Sequence, residues 1–163
     1  MLDLDWITPA LGVGGEVPAT AFELLAREHG VEAVIDVRAE ACDDTAQCRV
    51  HGITLLRLPT EDHCAIAPRQ IERGVEFAAA RIACGQRVLI HCQHGIGRSP
   101  LLALCVLVEL GLSPVGALAL AKARRARVSP SPPQYEAWAA WLRGRGERPP
   151  SFDEFAAIAY RSA

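Results

Sequence analysis

The sequence has almost no net charge, no paired-cysteine motif and no apolar run long enough to cross a bilayer, and each absence removes a class of protein. Lys and Arg number 17 against 19 Asp and Glu, a formal charge of −2. No general nucleic-acid or anionic-membrane surface is expected from that balance, so any basicity that matters must be local. The six cysteines lack C-x-x-C pairs and zinc-ligand spacing, and His51 and His63 have no partner at metal spacing. No metal, no cofactor and no disulfide framework are expected, and a reducing cytoplasm is the expected setting. The opening residues, MLDLDWITPALGVGG, hold two early aspartates, no positive n-region and no long apolar run, so no secretory signal is read there. The longest apolar block, PLLALCVLVELGL, is too short for a membrane span and reads as a buried helix.

What is present is enough for one well-packed domain. Half of the 163 residues are hydrophobic and 22% are charged, which allows a full core without staples. Apolar runs alternate with helical segments along the whole chain. This pattern predicts a single-domain, three-layer α/β fold with a central, mostly parallel sheet flanked by helices. Strands are expected at 10–15 (an edge strand), 32–38, 53–59 and 87–92. Pro59 ends the third of these, and near-continuous hydrophobicity marks the last as central. Helices are expected at about 20–29, where Thr20 and Glu23 form a T-x-x-E capping box, and at 68–84, 98–110, 114–127 and 132–143. The stretch 39–52 reads as an irregular polar loop. Residues 1–145 are expected to form the functional domain, and 146–163 a linker followed by a short docking helix or a tail.

The chemistry concentrates in VLIHCQHGIGRSP, residues 88–100. An apolar strand delivers Cys92 to its carboxyl end, where open α/β sheets bind ligands. Gln93, His94, Gly95, Ile96 and Gly97 then wrap towards a helix starting at Arg98. Such a wrap turns successive backbone N–H groups inward at the positive end of a helix dipole, making an anion-sized nest. Gly95 and Gly97 supply the backbone freedom and close approach. Arg98 adds a planar fork for two phosphate oxygens. The same positive field lowers a thiol's pKa, so Cys92 is expected to be a thiolate facing the bound anion. Ser99 is placed to hydrogen-bond the sulfur, and His91 to orient the loop.

The stretch HCQHGIGRS resembles the HC-x5-R-S/T signature of the cysteine-based protein tyrosine phosphatase superfamily, and the domain's size and plain surroundings look most like the dual-specificity branch. The resemblance extends more weakly over about residues 6–143. It implies a metal-independent phosphomonoesterase working through a cysteinyl-phosphate, with phosphotyrosine, phosphoserine or phosphothreonine proteins or small phosphomonoesters as partners. It also implies an Asp on a loop about thirty residues before the Cys. Asp62, in LPTEDHCAIAP, lies thirty positions upstream of Cys92 and is assigned as general acid, with Glu61 its nearest rival. Relatives place a water-positioning glutamine where Gln134 stands, although a residue that merely starts a helix is the preferred reading here. The alternatives are a thiol-based arsenate reductase, a rhodanese-like sulfurtransferase, or a silent phosphate-binding module.

The remaining residues read as structural. Asp36 is expected to pair with Arg38 or hold the adjoining loop. Cys105 is a core residue, Cys48 and Cys84 carry no function, and Cys42 or Cys64 could resolve an oxidised Cys92. Trp138 and Trp141 form one packed helix edge. The basic residues of AKARRARVS, 121–129, are expected on a solvated helix face, with an acidic-partner dock as the alternative. The absence of Lys and Arg from residues 93–97 disfavours polyanionic substrates.

Overall fold

A computed structural model describes residues 1–162. Five strands form one sheet: β1 (Leu4–Trp6), β2 (Leu11–Gly14), β3 (Val31–Arg38), β4 (Thr54–Thr60) and β5 (Arg87–His91). The spatial order is β1-β2-β5-β3-β4, with β1 antiparallel to β2 and every other neighbour parallel. Side chains on the two central strands alternate between two cores. Ala33, Ile35, Val37, Val88 and Ile90 face the larger one, whereas Val34 and Leu89 face the smaller. Burial on both faces explains why the sequence of β5 shows no polar alternation.

The smaller core is covered by α1 (Phe22–Arg27) and α2 (Thr45–Val50), through Phe22, Leu25 and Cys48. The larger is covered by α3 (Pro68–Ala83), α4 (Arg98–Glu109), α5 (Pro114–Arg124) and α6 (Pro132–Gly144), giving the expected three layers. α4 is buried from Arg98 through Val108, so it runs through the middle of this layer. The last helix, α7 (Phe152–Ala159), starts with a Ser151–Glu154 capping box and inserts Phe155 and Ala159 into the same core. Of the two expectations for this segment, the docking helix is the one found.

Four expectations fail for identifiable reasons. β2 is not an edge strand, because the three-residue β1 adds outside it. No capping box forms at Thr20; residues Ala19–Ala21 make a single 3₁₀ turn after the extended Pro18, and α1 begins at Phe22 without a side-chain cap. The loop 39–52 contains α2, capped by the Asp44 carboxylate accepting from the Gln47 N–H. Finally, β4 runs one residue past Pro59, which the edge position tolerates because no neighbouring strand requires its missing N–H there.

Candidate active site

Cys92 follows the last residue of β5 and is 3% exposed. Between it and α4, the loop is held by its carbonyls. The Gln93 carbonyl accepts from the Glu16 N–H at 3.0 Å, and the Ile96 carbonyl from the Ser129 N–H at 2.8 Å. The carbonyls of His94 and Gly95 accept from Nη2 and Nε of Arg125 at 3.0 and 2.8 Å. A planar trans peptide sets each N–H opposite the preceding carbonyl. Pulling four successive carbonyls outward therefore turns the following amides inward, which builds the expected nest. Gly95 sits at φ +64°, and a Cβ there would lie 2.3 Å from Arg125 Nη2 and 2.7 Å from the Gly14 backbone. A Cβ on Gly97 would lie 2.4 Å from Gln134 Oε1. Glycine is required at 95, whereas a side chain at 97 would have to displace the Gln134 amide.

The sulfur of Cys92 accepts from the Gly95 N–H at 3.2 Å and lies 3.2 Å from Ser99 Oγ. Arg98, 1% exposed, directs Nη1 and Nη2 at the two carboxylate oxygens of Glu40, 2.7 and 2.8 Å away, and Nη1 also donates to the Thr60 carbonyl at 2.8 Å. Its Nε is buried without a hydrogen bond among the described residues, and Asp62 Oδ1 stands 3.4 Å from it. The guanidinium is thus clamped along one edge, with the edge containing Nε left over for an anion. The bidentate bond from Arg98 holds the Glu40 carboxyl at a pKa of about 2. Burial alone would weaken the Arg98 charge, but the hydrogen bond to Glu40 and the nearby Cys92 and Asp62 outweigh it and raise the pKa further.

Behind the loop lies a closed polar network. His91 Nε2 is 2.6 Å from Asp43 Oδ2, and Nδ1 is 3.2 Å from the Cys92 carbonyl. Arg38 bonds Asp36 through Nε and Nη2, Asp43 through Nη2, and the Gln93 side chain through Nη1. Burial pushes Asp36 up, but the bond from Arg38 and the nearness of His91 hold it below the usual carboxylate range. Asp36, Asp43 and His91 have ligand-type atoms within 4.8 Å of one another, and Arg38 already bonds both carboxylates. His91 thus braces the back of the loop, and Asp36 pairs with Arg38 as expected.

The anion pocket, about 180 Å³, is lined by Cys92, His94, Ile96 and Gly97 of the loop, by Asp62 and His63, and by Ser129, Ser131 and Gln134. The structure therefore brings Asp62 to the mouth, on a loop fastened to the start of α6. Ser131 Oγ donates to the His63 carbonyl at 2.8 Å, and Gln134 Nε2 donates to the Cys64 carbonyl at 3.2 Å. Gln134 Oε1 also accepts from the Ser131 N–H, completing a capping box, so the helix-start reading of this residue is directly visible. Glu61 is exposed and makes no ion pair among the described residues.

One expectation is overturned here. The basic run at 121–129 is not a solvated face, because Lys122 and Arg125 are buried. Arg125 is 1% exposed and, besides the loop carbonyls, binds Asp3 through Nη1 and Nη2 and Asp5 through Nη1. Lys122 Nζ donates to the carbonyls of Val128 and Ala159, tying α7 to α5. Three site residues were missed altogether: Glu40, Asp43 and Arg125. The acids of RAEACDD, just past the carboxyl end of β3, were the available signal for the first two, since loops at that end of a parallel sheet converge on the ligand.

A parallel sheet whose central strand ends in a C-x5-R loop, backed by a buried helix, defines a member of the cysteine-based protein tyrosine phosphatase superfamily. More narrowly, the family described as "Dual specificity phosphatase, catalytic domain" matches residues 15–142, and the chain belongs to it. Among curated relatives, the mouse phosphatidylglycerophosphatase and protein-tyrosine phosphatase 1 is 29% identical over 119 residues, covering 69% of this chain and 62% of that protein. Human dual specificity protein phosphatase 5 is 29% identical over 127 residues, 77% of this chain and 32% of that one. The chain thus spans less than two thirds of these relatives' lengths. The same fold occurs in the crystal structure of PTPMT1 in complex with PI(5)P (TM-score 0.81, 23% identity, 87% and 96% of the two chains). It recurs in human DUSP28 (TM-score 0.77, 24% identity, 88% and 95%).

Proposed function

We propose that the protein hydrolyses phosphomonoesters without a metal, in two steps through a cysteinyl-phosphate, with phosphotyrosine and phosphoserine or phosphothreonine proteins and small phosphomonoesters as substrates. One observation carries this reading. A thiol sits in an anion-sized pocket with an amide and a hydroxyl on its sulfur, an arginine edge free beside it, and a carboxyl at the mouth.

In the first step the Cys92 thiolate attacks phosphorus and the bond to the leaving oxygen breaks. The carboxyl of Asp62 gives its proton to that oxygen. The loop amides and the Nε edge of Arg98 hold the charge on the three remaining oxygens in flight. In the second step water attacks phosphorus, the Asp62 carboxylate takes its proton, and the sulfur–phosphorus bond breaks. Ser99 Oγ stabilises the departing thiolate by hydrogen bonding. Glu40 and Asp43 act through Arg98 and His91 and are positioning residues. The resident thiol requires a reducing compartment, for which we propose the cytoplasm.

The placement of Asp62 favours this reading over arsenate reduction or sulfur transfer, which do not need an acid at the mouth. Hydrolysis of an aryl phosphate and a phosphotyrosine peptide in reducing buffer with chelator tests it. Cys92→Ser should abolish turnover, and Asp62→Asn should lower kcat by about 10²-fold or more. An inactive wild type, or an Asp62→Asn enzyme as fast as wild type, would refute the mechanism.

A further inference from the structure

We propose that His63 is a positioning residue for the general acid and acts through its backbone, as a left-handed residue that turns its N–H onto the Asp62 carboxylate. The proposal rests on the phosphatase reading and adds a residue to its first step.

The starting observation is a backbone exception. Among the described residues, His63 is the one non-glycine residue with a positive φ, at +63°. Histidine enters that region more readily than most side chains, yet the state is uncommon, and such outliers gather at functional sites. The neighbouring bonds define the turn. The Cys64 N–H donates to the Glu61 carbonyl at 3.2 Å, closing a turn with Asp62 and His63 at its centre. Positive φ at the third residue alone is the type II pattern, which calls for glycine or asparagine there. A type I turn closes the same bond with no left-handed residue. What differs is the central peptide, between Asp62 and His63, whose flanking dihedrals change by roughly 150° or more between the two types.

That peptide is what reaches the acid. As the turn stands, the His63 N–H donates to Asp62 Oδ1 at 2.9 Å, and the same oxygen is 3.4 Å from Arg98 Nε. Turning the peptide over takes the N–H off the carboxylate and frees a half-exposed side chain to swing into solvent. The loop itself stays fastened in either form, because Ser131 Oγ donates to the His63 carbonyl and Gln134 Nε2 to the Cys64 carbonyl. α6 thus decides where the loop lies, and the His63 backbone decides where the acid points. The imidazole is 86% exposed, and its Nε2 is 3.6 Å from Asp62 Oδ2, too far for a hydrogen bond.

The test separates the acid from the rest of the site by leaving group. Phenyl phosphate needs a proton on its departing oxygen, whereas pentafluorophenyl phosphate departs almost unaided. Both put the same phosphate in the pocket. The quantity read is kcat/KM for the phenyl ester divided by kcat/KM for the pentafluorophenyl ester, which cancels damage common to both. His63→Gly keeps the left-handed backbone without the ring, and should hold this ratio within about twofold of wild type. His63→Val, for which a positive φ is a true outlier, should lower it by about tenfold, short of the loss of about 10²-fold or more expected for Asp62→Asn. His63→Ala should fall between the two. A His63→Gly ratio as low as that of His63→Val would give the role to the imidazole and overturn the proposal. Equal ratios in all three variants, with Asp62→Asn still lowering it, would also overturn the proposal and leave the acid standing. Wild-type failure on both esters removes the phosphatase reading itself.

Discussion

Two arginines grip the same loop, and the contrast between them separates a structural charge from a functional one. Arg98 and Arg125 are each 1% exposed, and each is paired to carboxylates. Arg125 uses all three of its nitrogens: Nε on the Gly95 carbonyl, Nη1 on Asp3 and Asp5, and Nη2 on Asp3 and the His94 carbonyl. Arg98 uses both N–H groups of Nη1 and one of the two on Nη2, and leaves Nε buried without an acceptor among the described residues. A buried donor with no partner is costly. In the proposed mechanism a phosphate oxygen beside Cys92 supplies the missing acceptor. Burial and pairing alone would not have distinguished these two residues; counting the unused donors does.

The largest expected effect comes from breaking the open edge. Arg98→Lys keeps the charge but removes the planar fork, and should lower kcat by about 10²–10³-fold, the scale found when one donor to a developing oxyanion is lost. Steady-state kinetics alongside a melting curve would check it. A small rate loss would mean that the loop amides carry the phosphate alone.

Breaking the filled arginine should reverse the pattern. Arg125→Met removes the partners of two loop carbonyls, unpairs Asp5 and leaves Asp3 with Arg127 alone, and water can reach both carboxylates. The expected loss is about 2–3 kcal/mol, discounted from the 3–5 typical of a fully buried pair. In a chain of this size that is a fall in Tm of about 5–10 °C. Activity should fall as the loop loosens, while substrate protects against unfolding. Unchanged stability would show that the carbonyl anchors are dispensable.

A smaller effect is expected from Glu40→Gln, which keeps an acceptor for Arg98 but weakens the clamp. KM should rise severalfold with kcat little changed, since the free edge would wander in the unliganded pocket. An unaltered KM would assign the orientation of Arg98 to the Thr60 carbonyl instead.

The smallest is a matter of pH. The folded Glu40 carboxyl has a pKa of about 2, below the ordinary value of about 4.3. Its contribution to stability is therefore complete above that ordinary value and lost as pH falls from there through about 2. Because the group is partly open to water, the difference should be modest. Urea midpoints of wild type and Glu40→Gln should diverge near neutral pH and converge in acid.

How much of this was legible beforehand follows from sequence separation. Cys92, Arg98 and Ser99 lie within one strand–loop–helix unit, where local chain geometry dictates what meets, and the structure brings them together. Asp62 could be found because the resemblance supplied a spacing. Glu40 meets Arg98 across 58 positions, Asp43 meets His91 across 48, and Asp3 meets Arg125 across 122. No local periodicity encodes such pairs. The missed elements fail differently: β1 has three residues and α2 six, too few for a hydrophobic period to show. The basic run misled because charge on a helix usually means solvent, whereas here two of its side chains fold inward onto carbonyls.

The grip of Asp3 on Arg125 also sets a clock. During synthesis the first aspartate emerges early and must wait for an arginine 122 residues later, while the loop that both stabilise lies between them. Contacts of such separation close late, after local helices and neighbouring strands have formed. Pocket geometry is thus expected to form late. Phosphate binding during refolding should lag behind the return of helical signal, making occupancy of the loop a reporter that Asp3 and Arg125 have met.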